Sequence, residues 1–202
     1  MKIFFLLFLF IPINETKKSP SDFENELTYI VKNFKEDIMD EFECKRLMNK
    51  AGSISDKIDE ELDDSNQYSS YEISQLRELK TKAEALKSYI GGIGDCASAV
   101  FPTINEFEIA NQMVGGSVKY VVQGKFCADF ITVTIDKYVI YMAKNNSLTS
   151  YMIKYNWKNS NGTSKGNGTM GLPSNTIRGV YENRKNINQN KIIIIESTCS
   201  PL

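Results

Sequence analysis

No histidine occurs among the 202 residues. That absence removes a Ser-His-Asp triad, a Cys-His pair and any histidine-containing zinc site. Acid–base chemistry near neutral pH would fall to a carboxyl, lysine, tyrosine or cysteine with a displaced pKa. Arginine is scarce, with only Arg46, Arg77, Arg178 and Arg184, and Trp157 is the single tryptophan. Long apolar runs are also lacking. The longest, Ile3 to Ile11, is nine residues, whereas a membrane span needs about 20. No transmembrane span is expected. The SxxK, GxSxG and HExxH patterns of hydrolases are absent from the sequence.

That short apolar run follows Met1-Lys2 and leads through Pro12 into polar Asn14-Glu15-Thr16. One basic residue and a signal-sized apolar stretch fit a secretory signal peptide. Residues 1–16 are therefore set aside as a signal, with cleavage expected between about residues 13 and 20. Residues 17–202 are expected to form a single α+β domain outside the cytosol, secreted or periplasmic. The four cysteines, Cys44, Cys96, Cys127 and Cys199, are even in number, as disulfides require in an exported chain. Their spacings match neither a CxxC redox motif nor a zinc knuckle. Cys127 opens one strand segment and Cys199 closes another, so these two are expected to pair. Cys44 then joins Cys96. Four buried free thiols are the alternative.

The first 114 residues carry helical periodicity. Residues 19–51 read as one long helix, with a Ser21/Glu24 capping box and apolar positions Phe23, Leu27, Ile30, Val31, Phe34, Ile38 and Phe42. Gly52 is expected to end it. Residues 54–64 and 71–90 read as further helices, the latter stopped by Gly91-Gly92, and 104–114 as a fourth, capped by Thr103 and Glu106 and ended by Gly115-Gly116. After Gly116 the pattern alternates with period two. Strands are expected near 118–123, 126–135, 138–143, 148–157, 176–182 and 191–198. Turns are expected at Asp136-Lys137, Asn145-Asn146 and Asn186 to Asn190, and a long polar loop from Lys158 to Asn175. Helices first and strands second predict an α+β fold: a helical half, 19–114, packed on an antiparallel β-meander of about six strands, 117–199.

Charge divides at the same place. From Gly115 onward nine lysines and two arginines face only Asp129, Asp136, Glu182 and Glu196, a surplus of seven. With a net charge of −1 for the whole chain, residues 1–114 carry −8. The asymmetry fits a basic binding surface on the sheet half, or two halves of one domain that attract each other.

Several motifs fail on context. Gly166 to Gly171 spells GxGxxG, but no strand–helix pair frames it, so no nucleotide is expected. The acidic cluster Asp59 to Asp64 lacks the glycine and glutamate of an EF-hand, and reads as a solvated helix face. Tyr181 and Lys185 have YxxxK spacing without a Rossmann sheet beside them. No metal or cofactor is expected. Asn14, Asn145, Asn161 and Asn167 each begin an N-x-Ser/Thr sequon.

One constellation carries a functional reading. Tyr151, Ile153, Tyr155 and Trp157 share one strand face, with Lys154 and Asn156 on the other. The aromatic stripe is either core or a platform for a sugar or lipid headgroup. If it is core, the opposite face offers Lys144, Lys154 and Arg178 to an anionic partner. The expected function is an exported, disulfide-linked binding protein, an inhibitor or a binder of an anionic or protein partner. The alternative is a small secreted hydrolase using carboxylate or lysine chemistry.

Overall fold

A computed structural model describes residues 17–38, 40–94, 96, 100–120, 127–159, 162–180 and 192–202. Residues 1–16, where the signal peptide is expected, and the expected turn at Asn186 to Asn190 lie outside them, as do Tyr181 and Lys185. Among the described residues four α-helices come first, α1 (Pro20–Asp37), α2 (Glu41–Asp63), α3 (Ser70–Ile93) and α4 (Ile104–Val114). Seven strands follow, β1 (Ser117–Tyr120), β2 (Asp129–Ile135), β3 (Tyr138–Lys144), β4 (Tyr151–Asn159), β5 (Lys165–Leu172), β6 (Ile177–Gly179) and β7 (Ile192–Pro201). The order makes the fold α+β with antiparallel sheets, as the sequence predicts. No helix among the described residues is long and apolar enough to cross a membrane.

The expected long first helix is two helices. Ser19, not Ser21, caps α1: its hydroxyl accepts from the Asp22 amide, the Asp22 side chain answers to the Ser19 amide, and Pro20 fills the first turn. The chain breaks after Asp37 because Asp40 caps a new start, accepting from the Glu43 amide at 2.8 Å. Gly52 does not end a helix. It lies buried inside α2, against the Lys87 stem of α3. Likewise α3 runs through Gly91-Gly92 and stops at Gly94. The Thr103/Glu106 box and the left-handed Gly115 (φ 67°) bound α4 where expected.

The strands divide between two sheets, β1-β2-β3-β6 and β5-β4-β7. The first is a middle layer. Its residues Ile131, Val133, Ile135, Ile140, Met142 and Ile177 join the helical core around Phe34, Leu47, Leu86 and Tyr89. Its alternate residues Phe130, Tyr141 and Ala143 pack instead with Ile153, Tyr155, Met170, Leu172 and Ile194 of the second sheet. The molecule is thus three layers: helices, middle sheet, outer sheet. Strand β3, covered on both faces, reads as a near-continuous apolar run, whereas β2 alternates after Ile131 and β1 is exposed. In the outer sheet, covered on one side only, β4 and β5 alternate between buried and exposed residues.

Strand β5 falls in the segment expected to be a loop. Two of its glycines, Gly166 and Gly168, point inward and are required there. A side chain at Gly166 would come within 2.8 Å of the Trp157 indole, and one at Gly168 would overlap the Tyr155 ring. In register, Trp157 faces Gly166 and Tyr155 faces Gly168. The aromatic rings of β4 cover the backbone that the glycines leave bare.

Both disulfides join the expected partners. Cys44 on α2 bonds Cys96 beyond α3, with Cα atoms 5.1 Å apart and both residues almost wholly buried. Cys127, just before β2, bonds Cys199 on β7, with Cα atoms 5.7 Å apart, and so ties the middle sheet to the outer one.

Candidate functional site

The aromatic stripe is turned inward. Ile153 and Tyr155 are buried between the sheets, and Phe130 meets Tyr155 at 5.9 Å between ring centres. Tyr151 and Trp157 are half-buried at the edges of the same cluster. The rings pack beneath the middle sheet and not beneath the helices. They offer no open platform.

The three cations expected to meet an anionic partner are not brought together. Lys144 ends β3 and stands opposite Asp129. It lines a groove of about 300 Å³ with Asp129, Asn145 and Tyr151. Arg178 sits on β6 over the Phe101 ring, 4.4 Å from its centre, and donates to the Gly171 carbonyl of β5 at 2.6 Å. It bridges two sheets as a structural cation. Lys154 is on the other side of β4, exposed, on the outer face of the outer sheet.

That outer face holds two further lysines. Alternation along β4 places Lys158 on the same side as Lys154. Lys165 of β5 lies directly opposite Lys158, and all three are exposed. Directly opposed side chains on antiparallel strands sit about 5 Å apart, and like charges there oppose each other. Lys154 lies about 13 Å along the strand from Lys158 at the usual rise per residue. Between them, Lys154 is flanked by Thr169 and Thr198, and Asn156 by Asn167 and Glu196. These residues line a shallow groove of about 310 Å³. Glu196 is engaged by the Asn156 amide at 3.3 Å.

Several cations of the helical layer are paired. On the helical layer Lys18 meets Glu26 at 2.7 Å, Lys80 meets Asp59 at 2.7 Å, Lys82 meets Glu78 at 2.6 Å, and Arg46 meets Glu43. A helical groove of about 590 Å³ mixes Lys17, Lys18 and Lys57 with Glu60, Glu61 and Asp64. Among the described residues, no carboxylate comes within salt-bridge distance of Lys154, Lys158 or Lys165. The carboxyls with displaced pKa values serve structure. Asp22 is held low by the Ser19 hydroxyl, Glu43 by the Arg46 guanidinium, and Glu72 by the Ser69 amide and hydroxyl.

The sequons also separate. Asn145 is buried, its amide donating to the carbonyls of Thr149, Leu172 and Pro173 at 2.8–3.2 Å. It fixes the connection from β3 to β4. Asn167 is exposed on the outer face. Asn14 and Asn161 lie outside the described residues.

Comparison with protein families, with curated proteins and with solved structures gives no match to this chain. The functional reading therefore rests on the geometry of the chain itself. Lys158 and Lys165 escape the sequence reading because both fall in the segment from Lys158 to Asn175 expected to be a loop, whereas β4 continues to Asn159 and β5 begins at Lys165. The signal that finds them is Lys165 leading a period-two run, Lys165, Asn167 and Thr169, against inward Gly166, Gly168 and Met170.

Proposed function

We infer that this protein is exported and acts by binding, with the outer face of the β5-β4-β7 sheet meeting an anionic partner. The observation behind the reading is the Lys158–Lys165 pair. Two like charges set directly opposite each other destabilise a sheet, and an anion laid across them relieves that repulsion. Lys154 extends the positive strip along β4. Two disulfides support work in an oxidising compartment, and the signal-like N-terminus supports export. Residues 17–202 act as one domain in this reading, with helices and middle sheet as a scaffold for the outer sheet. Arg178 supports that scaffold by bridging the two sheets, and Lys144 stands apart from the strip at the end of β3. A hydrolase is the weaker reading, because the displaced carboxyls cap helices or pair with arginine.

Binding to immobilised dextran sulfate, followed as salt rises, tests the proposal. Exposed charges are screened within about 8–10 Å at physiological ionic strength, so retention should weaken steeply with salt. Lys158→Glu with Lys165→Glu should abolish the excess retention. Lys45→Glu on the helical layer should not. Equal loss from both variants would show that net charge alone decides and that the outer face is no site.

A further inference from the structure

Resting on that reading, we propose that the partner is an acidic linear polysaccharide lying along β4 and β5. The chemistry between the lysines selects it. Asn167, Thr169 and Thr198 present an amide and hydroxyls at the spacings of one strand face, around the single carboxylate of Glu196, which the Asn156 amide engages at 3.3 Å and which leaves the face a surplus of two positive charges. Such groups suit a hydroxyl-rich polymer, in which each sugar ring offers donors and acceptors between its acid groups. Lysine supplies point charges that tolerate either a carboxylate or a sulfate.

The same face is poorly built for other polyanions. Single-stranded nucleic acid is held by base stacking on aromatic rings. Here Tyr155 is buried and Trp157 half-buried on the inner side, and the described residues of the outer face include no ring. A stable protein interface centres on buried aromatic or arginine anchors in an apolar core, whereas lysine, asparagine and threonine dominate this face. A membrane surface asks for apolar side chains that enter the headgroup layer. Among the described residues at this sheet, Ile195 at the bulge is exposed, Ile193 opposite Lys158 half-buried and Leu202 past the end of β7 exposed, and they are spread along β7 and not gathered into one apolar surface. Neutral sugar would need an exposed ring to stack on. What remains is ionic recognition of a polymer that also takes many weak hydrogen bonds.

The groove and the strip agree in direction. The groove runs along the Lys154 end of the face, and the Lys158–Lys165 pair continues it toward the β4–β5 turn. A chain laid there contacts three cations without entering a deep pocket. Affinity then comes from several weak contacts, and falls when any part of the strip is reversed.

Isothermal titration of the full chain with defined oligomers tests the proposal. Heparin and alginate oligosaccharides are the sulfated and carboxylated arms. Dextran, poly-glutamate, oligo-dT and phosphatidylserine vesicles are the comparisons. Wild type should bind at least one acidic glycan more tightly than poly-glutamate or oligo-dT, and dextran not at all. Which arm binds names the acid group. Lys158→Glu with Lys165→Glu should weaken glycan binding about tenfold or more, which corresponds to about 1.4 kcal/mol. Lys158→Arg with Lys165→Arg should retain it, showing that the face still folds. Thr169→Val with Thr198→Val should weaken glycan binding and leave poly-glutamate unchanged. Poly-glutamate, oligo-dT or vesicles binding as tightly as the glycans, with sensitivity to the lysines, would overturn the polysaccharide and keep the anion face. No polyanion sensitive to the lysines would overturn both.

Discussion

Gly168 lies directly opposite Tyr155 on the neighbouring strand, and the tyrosine ring fills the space a side chain at position 168 would need. The other side of the contact is Phe130 of the middle sheet, whose ring lies 5.9 Å from that of Tyr155 between centres. Gly168→Ala should therefore destabilise the fold by about 1–3 kcal/mol, the usual range for overpacking a filled site. Urea unfolding measures it. A neutral effect would mean that the ring does not rest there.

The two rings of β4 should behave differently. Tyr155→Ala removes a buried ring and should cost about 3–5 kcal/mol. Trp157 is half-buried, and its indole Nε1 is buried without a partner among the described residues. Trp157→Phe removes that unpaired donor and should leave stability within about 1 kcal/mol. A large loss on Trp157→Phe would point to a hydrogen bond the indole makes in solution.

These rings mark where sequence reading holds and where it stops. The helical half is legible because capping boxes and a 3.6-residue period are local signals, as at Thr103–Glu106 and along α3. The break at Asp37–Asp40 hides in that same period, since Ile38 stays buried on the continuing apolar side. Gly52 and Gly91-Gly92 carry the stop signal of a helix, yet packing overrides it. Strand β5 was illegible because its glycines look like a loop until their aromatic partners are known. With β5 went Lys165, and with Lys165 the partner that gives Lys158 its meaning. The disulfide partners are legible because Cys127 and Cys199 fall at strands expected at the two ends of the sheet half, which leaves Cys44 for Cys96.

The two disulfides should separate under mild reductant. Cys127 is exposed, whereas Cys44 and Cys96 are almost wholly buried, so thiolate reaches Cys127–Cys199 first. Alkylation and mass spectrometry should find Cys127 and Cys199 labelled while Cys44 and Cys96 remain joined. Loops of 52 and 72 residues give each bond about 4 kcal/mol in the chain-entropy account. Early labelling of Cys44 would contradict the burial of the helical core.

Alkaline pH should unfold the helical layer. Tyr89 is buried between Phe34 and Phe107, and its hydroxyl donates to Asn111 at 2.8 Å. Burial raises its pKa far above the ordinary value. An unfolded tyrosine ionises near pH 10, so above that the unfolded chain releases a proton that the folded chain retains. The stabilisation is complete below about pH 10 and is lost as pH rises toward the folded value. Tyr89→Phe should flatten this slope. An unchanged alkaline limb would assign it to Tyr68, which burial also raises, with the Glu61 hydrogen bond adding to it.

The lysine pair should trade stability against binding. Lys165→Glu converts a like-charge cross-strand pair to an opposite one, and should stabilise the fold by about 0.5 kcal/mol while weakening polyanion binding. Thermal unfolding and titration on the same variant measure both. Destabilisation would mean that the two ammonium groups do not oppose each other.

Lysine footprinting tests the central claim most directly. The protein is acetylated briefly with and without heparin oligosaccharide, digested with a protease that does not cut at lysine, and quantified lysine by lysine. The account predicts protection at Lys154, Lys158 and Lys165, with Lys45 and Lys82 on the helical layer unchanged. Protection centred on Lys17, Lys18 and Lys57, with the outer sheet unprotected, would contradict it.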